Sequence, residues 1–290
     1  MTDFLKHILW ATDFSDEAQE ALLYADLFAK AFKSRLTAIH VVPDFSPAVY
    51  DMSSAYRGDL SKTIETVKLE AKAKLEAMAK ARAIPIANVI VRQGSPSKVI
   101  IQVSKEEKAD LIVIGRKGLS GMQKLFIGSV ANNVLRRSCV PVLVTKKQSG
   151  TPRVNKILVP TDFSKQEEIE QDYALRLAKG FNASMMLLYV LELFGHDLRF
   201  VDELFKDVMA KLQKKSRRGE AGVEIAEDVT KAINAPSGIV DYAETHKFDL
   251  IVMSTYVHKL ERFLLGSTTE KVISNTSHPV FAIPPACHAE

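Results

Sequence analysis

One strand–loop–helix stretch concentrates the residues best suited to chemistry. The apolar run Leu111-Ile112-Val113-Ile114 leads into Gly115-Arg116-Lys117-Gly118, and after nine residues comes Gly128-Ser129-Val130. Glycines at such a junction let backbone N–H groups approach a ligand closely, and a Gly-Ser pair opening a helix aims unpaired amides at an anion. Arg116 and Lys117 add positive charge beside the first glycine pair. The combination describes a phosphate site. Neither the Walker pattern G-x-x-x-x-G-K-[ST] nor the dinucleotide fingerprint G-x-G-x-x-G occurs. Ser129 can cap the helix, bond phosphate or accept a phosphoryl group, and capping is the default role of such a residue.

Asp13 offers a second chemical group. At the end of a strand its carboxylate can bond a ribose hydroxyl or help hold a divalent ion beside phosphates. It can equally close an Asx turn, because Asp13-Phe14-Ser15 leads straight into a helix. Val41 offers backbone groups to the edge of a base, while its side chain suits the last core position of its strand.

The elements that position these residues follow from periodicity. His7 to Ala11 reads as a strand, and Ser15 then opens a helix with apolar residues at Ala18, Ala21, Leu22, Ala25, Phe28, Ala29 and Phe32. Strands follow at 35–42, 89–92, 111–114 and 140–144. The intervening helices carry Leu60 to Met78 on one face, start at Ser95-Pro96, or start at Ser129. Strands that read as continuous apolar runs between helices indicate a parallel sheet covered on both faces. Ligands of such sheets bind beyond the carboxyl ends of the strands, where strand order reverses. Thr12-Asp13, Val41 and Gly115 to Gly118 occupy those ends.

The pattern occurs twice. Leu9 to Ser15 recurs as Leu158-Val159-Pro160-Thr161-Asp162-Phe163-Ser164, Asp110 to Val113 as Asp249 to Val252, Ile127-Gly128-Ser129 as Leu265-Gly266-Ser267, and Val140-Pro141-Val142 as His278-Pro279-Val280. A period near half the chain implies a duplicated domain and not a solenoid. The 290 residues, 47% of them hydrophobic, divide into a first domain at 1–147 and a second at 154–290, joined by a polar, turn-rich linker. Ser164 and Glu167 form a capping box for the second domain's first helix, and later strands are expected near 222–228, 250–253 and 279–283. Pro141 and Pro279 mark the starts of edge strands, so Val142 to Val144 is expected to pair with Phe281 to Ile283 in an intramolecular pseudo-dimer. A further homodimer is compatible with this arrangement.

Composition bounds the setting. The N-terminus has no charged-then-apolar leader pattern and no apolar run is long enough to span a bilayer, so a cytoplasmic protein without membrane contact is expected. A net charge of +4 permits an anionic ligand without arguing for nucleic acid. The basic run Lys214-Lys215-Ser216-Arg217-Arg218 lacks interleaved aromatic residues and reads as a solvated helix end. Cys139 and Cys287 do not make a disulfide framework, and Cys139 reads as a small residue ahead of a strand.

Asp13, Val41 and the pattern G-x2-G-x9-G-S at Gly115, Gly118, Gly128 and Ser129 resemble the universal stress protein family, and the duplication resembles its tandem-domain members. The resemblance covers both halves. It implies two tandem Rossmann-like or flavodoxin-like domains, each with a five-stranded parallel sheet flanked by helices, and ATP or a related adenine nucleotide with Mg²⁺ at the strand ends. Under it, Ala11, Thr12, Asp13 and Val41 hold adenine and ribose, and Ile114, Gly115, Arg116, Lys117 and Gly118 line ribose and phosphate. Gly128, Ser129 and Val130 bind phosphates, and Asp13 is a candidate Mg²⁺ contact. Ala11 stands where the family often has proline. The implied role is stress response or signalling with an unidentified protein partner, through ATP that orders the segments 43–57 and 115–128. Slow ATP hydrolysis or autophosphorylation is compatible with the family, and no Ser-His-Asp set or H-E-x-x-H motif marks a catalytic centre.

The second half departs from the pattern. Ser254 to Lys259 replaces the early glycines while Asp162 and Gly266-Ser267 remain. One competent nucleotide site and one degenerate site are therefore expected, with an isolated second domain binding at least about tenfold more weakly than the first. Two other readings stay open from sequence. One is a nucleotide-free scaffold whose domains only pair and bind proteins. The other is an enzyme of the adenine-nucleotide α-hydrolase group, although neither its S-G-G-x-D-S loop nor an H-I-G-H motif is present.

Overall fold

The computed structural model describes residues 4–44, 54–118, 126–147, 150–164, 166–193, 201–216, 222–255 and 265–285, with backbone alone at 54–63 and 201–202. The first half runs β1 (His7–Thr12), α1 (Asp16–Phe32), β2 (Arg35–Val42), α2 (Ser54–Ala81), β3 (Asn88–Gln93), α3 (Pro96–Glu106), β4 (Leu111–Gly115), α4 (Ser129–Arg137) and β5 (Val142–Thr145). The second runs β6 (Lys156–Thr161), α5 (Glu167–Phe181), β7 (Ser184–Glu192), α6 (Val201–Lys215), β8 (Ile225–Ala232), α7 (Ala235–Thr245), β9 (Leu250–Ser254), α8 (Ser267–Asn275) and β10 (Val280–Ile283).

All ten strands form one sheet in the order β3-β2-β1-β4-β5-β10-β9-β6-β7-β8. Within each half the strands are parallel, and the order reverses between the first and fourth strands. The halves meet where β5 and β10 pair antiparallel, with Val280 opposite Val144, Phe281 opposite Leu143 and Ala282 opposite Val142. The expected edge pairing is present, one residue earlier in β10. Pro141 and Pro279 lie just ahead of these strands and still accept through their carbonyls from Ile112 and Ile251 (3.0 and 3.1 Å).

Alternate strand residues feed two cores. Ile8 and Trp10 pack with Phe28 of α1, Leu75 of α2, Leu177 of α5 and Leu212 of α6; Leu9 and Ala11 pack with Ile100 of α3, Val134 of α4, Tyr242 of α7 and Val272 of α8. Each face therefore carries a core that runs across both halves. On the first face an aromatic group seals the joint: Phe281 of β10 lies 6.3 Å from Phe28 and 5.9 Å from Tyr173, and Phe181 meets Phe28 and Phe32 edge-on at 4.8 and 5.3 Å. Gly180 admits Phe32, whose ring occupies the place of a side chain at that position.

Three local expectations change. Helix α5 is not capped by Ser164: its N-cap is Gln166, and the Glu167 carboxylate pairs with Lys215 (2.5 Å) instead of closing a capping box. Strand β8 begins at Ile225 and continues to Ala232, in register with β7 through Glu192. Cys139 is disulfide-bonded and so is more than a small spacer, and Cys287 lies outside the described residues. No helix among the described residues is long and apolar enough to cross a membrane.

Phe281 is fully buried on a strand of one half against helices of both. Phe281→Ala is therefore expected to cost roughly 3–5 kcal/mol, read as a lower denaturant midpoint in a single transition shared by the halves. Two separated transitions, or an unchanged midpoint, would contradict the continuous core.

Candidate functional site

The strand-order reversal of the first half opens a cavity of about 320 Å³ between the carboxyl ends of β1, β2 and β4 and the start of α4. Its lining includes Ala11, Thr12, Asp13, Val41, Ile114, Gly115, Arg116, Lys117, Gly118, Gly128, Ser129 and Val130, so the sequence-predicted residues come together in one place. Ala18, Ile39, His40, Pro43, Pro96, Ile100 and Ala131 complete the wall and make much of it apolar. The segment 45–53, expected to order over the ligand, lies outside the described residues, as does 119–125.

Gly128, not Ser129, is the N-cap of α4, and no side chain caps this end. Glycine has no oxygen to turn back on the first-turn amides, so the first-turn N–H groups, beginning at Ser129 and Val130, meet the cavity with the positive end of the helix behind them. The amide of Gly128 itself donates to Arg116 O (2.8 Å), and a Cβ at Gly128 would approach that oxygen to 3.2 Å. This glycine thus lets loop and helix close on each other.

The other two glycines have different work. A Cβ on Gly115 would stand 2.8 Å from the Glu17 carbonyl carbon and 2.9 Å from Ala18 N, so this glycine admits the backbone of α1, not a ligand. Trp10, fully buried below, fixes the same turn by donating its indole N–H to Ala18 O (2.9 Å). A Cβ on Gly118 would fall on the Asp13 carboxylate. Gly118 therefore lies directly against Asp13, with no room for a side chain between them. Asp13 Oδ1 accepts from Ser15 N (3.0 Å), which realises the Asx turn and holds Oδ2 on the Gly118 side.

One cationic assignment is corrected. The Arg116 guanidinium leaves the phosphate region and donates to carbonyls of α8 in the second domain, with Ser274 O at 2.6 Å. Burial pulls its pKa below the ordinary guanidinium value, and nearby Glu17 opposes that shift. The backbone N–H of Lys117 is occupied as well, donating to Glu17 Oε2 (2.6 Å).

His40 donates from Nδ1 to Thr12 O (2.8 Å), since a carbonyl can only accept. Its ring lies 4.5 Å from Phe14, which takes φ +68°, an uncommon conformation for an aromatic residue, with Lys74 Nζ 4.2 Å above it. The second half repeats the turn: Phe163 has φ +58°, stacks on Tyr189 at 4.9 Å and lies under Lys211 at 4.1 Å.

The second half also has a cavity at the corresponding strand ends, of about 630 Å³. Helix α8 opens at Gly266, again with no side-chain cap. The electrostatics differ sharply. Asp162, Glu170 and Glu192 line it, and its described lining contains no lysine or arginine. Ser254 occupies the place of Gly115, where a side chain would strike the adjoining helix, and that helix starts at Glu167, two residues past the counterpart of α1's first residue. Glu170 is 6% exposed and accepts from Ser254 N (2.8 Å). Residues 256–259 of the replaced glycine loop lie outside the described residues.

The fold and site together define a tandem, doubly wound α/β protein with a cavity at a strand-order switch point. The chain belongs to the universal stress protein family, whose model matches residues 5–146 and again 153–284. It is 35% identical over 142 residues to universal stress protein MJ0531 of Methanocaldococcus jannaschii, covering 49% of this chain and 82% of that one. It is 29% identical over 163 residues to MJ0577 of the same organism, covering 52% of this chain and all of that protein. The crystal structure of a universal stress protein from Archaeoglobus fulgidus superposes with a TM-score of 0.66 at 24% identity, covering 98% of this chain and 97% of that one. One from Pseudomonas aeruginosa gives 0.63 at 17%, covering 97% and 94%, respectively. These two likenesses establish the fold.

Two outcomes follow from the packing. Gly115→Ala is expected to lower stability by about 1–3 kcal/mol without any ligand present, measured by denaturant titration; an unchanged midpoint would show that α1 yields freely. Burial raises the Glu170 pKa above the ordinary carboxyl value against the hydrogen bonds from Ser254, with Asp162 and Glu167 adding to the rise. Its contribution to stability is complete below the unfolded carboxyl pKa and is lost as pH rises through the elevated value. Glu170→Gln should therefore flatten the fall in melting temperature as pH rises above the ordinary carboxyl range, and an identical slope would rule out this assignment.

Proposed function

We propose that the first-domain cavity binds ATP with Mg²⁺ and that the protein acts in stress response through nucleotide-dependent interactions with a protein partner. The observation that carries the reading is the uncapped start of α4, opening on the same cavity as Asp13 and an apolar wall. An anion that accepts from the Ser129 and Val130 amides satisfies donors that the helix itself leaves unpaired. Ile39, Val41 and Ile100 suit the faces and edge of a purine, and the backbone near Thr12 and Val41 supplies its polar contacts.

Mg²⁺ fits as a phosphate-bridging ion held by one carboxylate, because it commonly binds one or two carboxylates plus phosphate oxygens and waters. Asp13 is that carboxylate, and Gly118 leaves it room. Among the described residues no group of three or more His, Cys, Asp or Glu is arranged for a metal. Bound Mg²⁺ would neutralise phosphate charge; the chain's own residues orient the nucleotide and exclude water from the apolar wall. This is a binding function, with no catalytic residue assigned.

The second cavity is read as degenerate for nucleotide. Its helix start is retained, but Asp162, Glu170 and Glu192 line the cavity and its described lining holds no lysine or arginine, a charge balance that disfavours a polyanion.

Calorimetry on the full chain with Mg-ATP tests both parts. One equivalent is expected, and Gly118→Val should weaken binding at least about tenfold, or 1.4 kcal/mol, with the fold preserved. Two equivalents would refute the asymmetry, while unchanged affinity in a folded Gly118→Val protein would refute the assigned site. Mass spectrometry of ligand released from the purified protein identifies the nucleotide independently.

A further inference from the structure

Arg116 sits inside the loop of the first cavity and is only 2% exposed. Its backbone is fixed on both sides, with N donating to Thr145 O (2.7 Å) and O accepting from Gly128 N (2.8 Å). Its side chain crosses into the second domain. There Nη1 donates to Ser274 O at 2.6 Å, Ile273 O at 3.3 Å and Thr276 O at 3.5 Å. These oxygens belong to the last turn of α8 and the residue capping it, where a helix leaves carbonyls unpaired and carries its negative end.

Helix α8 therefore spans the distance between the cavities. Its last turn is held by the first-domain loop, and its first residues, Gly266 to Thr269, line the second cavity. A second tie reinforces the first: Arg136 in the last turn of α4 reaches Glu270 in the first turn of α8 at 3.4 Å. The connection has no mirror image. Thr255 takes the place of Arg116 in the second half, and its hydroxyl stays within its own domain, donating to Ile283 O (3.4 Å).

We propose that Arg116 is a positioning residue that couples occupancy of the first cavity to helix α8, and thereby to the mouth of the second cavity. The inference rests on the reading that nucleotide phosphates seat between Gly118 and the start of α4. Seating them selects one position of the Arg116 to Gly118 loop, and that position also seats the guanidinium on α8. Charge-assisted hydrogen bonds in a buried place resist displacement, so the loop and the helix end order together. Linkage makes the effect reciprocal: whatever immobilises α8 favours the nucleotide-competent loop.

Amide hydrogen exchange on the full chain, with and without Mg-ATP, tests the coupling. In the unaltered protein, ATP should slow exchange at least threefold in residues 129–137 and also in 267–276. At saturating Mg-ATP, Arg116→Leu should keep the first protection and lose the second, and by the same linkage it should bind the nucleotide more weakly. Arg116→Lys keeps a buried cation able to reach one carbonyl, so it should give an intermediate effect at 267–276, and it supplies the readout if the leucine variant does not fold. Protection at 129–137 without any at 267–276 in the unaltered protein would overturn the coupling alone. Full protection of 267–276 in the Arg116 variants would do the same. Protection in neither segment would overturn the nucleotide reading and the coupling with it.

Discussion

The antiparallel pairing of β5 with β10 removes the free edge that each half-sheet would otherwise present at its fifth strand. An unpaired edge exposes a row of amides and carbonyls, and here each half supplies the cover for the other. The pairing also sets directions. Strands of the two halves run oppositely, so the cavities at their carboxyl ends open at opposite sides of one sheet. Equivalent helices fall on the same face, which is why both cores continue across the joint and why the last turn of α8 arrives beside the loop after β4.

Much of this was legible in the amino-acid pattern because it depends on local spacing. Strand and helix periods defined the alternating order, the repeat defined two halves, and the prolines at 141 and 279 located the edge strands. Asp13, Val41 and the glycines converge because each lies at a strand end or a helix start, and parallel strands bring all such ends together. What escaped was set by distant neighbours. Nothing near Gly115 in the chain announces that α1 presses on it, and nothing near Arg116 announces three carbonyls almost 160 residues away. The displaced start of α5 escaped for the same reason: Ser164 and Glu167 have the spacing of a capping box, but Lys215 takes the carboxylate and Ser254 stands against the helix.

The comparison of the two cavities separates what maintains a turn from what receives a ligand. Thr161-Asp162-Phe163 reproduces the geometry of Thr12-Asp13-Phe14, down to the hydroxyl accepting from the aromatic residue's amide (3.1 and 3.0 Å) and the carboxylate accepting two residues on (2.8 and 3.0 Å). That turn is needed to bring the chain from a central strand into a helix, whatever occupies the space beyond it. Persistence of the Thr-Asp-Phe pattern in the second half thus has a structural cause. The divergence lies in the side chains lining the cavity, where Asp162, Glu170 and Glu192 stand without a described lysine or arginine, while the helix again opens at a glycine with no side-chain cap.

The acceptors of the Arg116 guanidinium are main-chain oxygens, and that choice has an evolutionary consequence. A contact between two side chains ties both positions, so a change at one invites a matching change at the other. A contact from a side chain to peptide carbonyls ties only the donor, because every residue type supplies the same oxygen. Positions 273, 274 and 276 can therefore drift under the demands of their own packing while the bridge persists. Paired substitutions across related sequences would leave no trace of it, and only the persistence of an arginine in the loop, together with the length of the helix it meets, would record that the two halves are joined there.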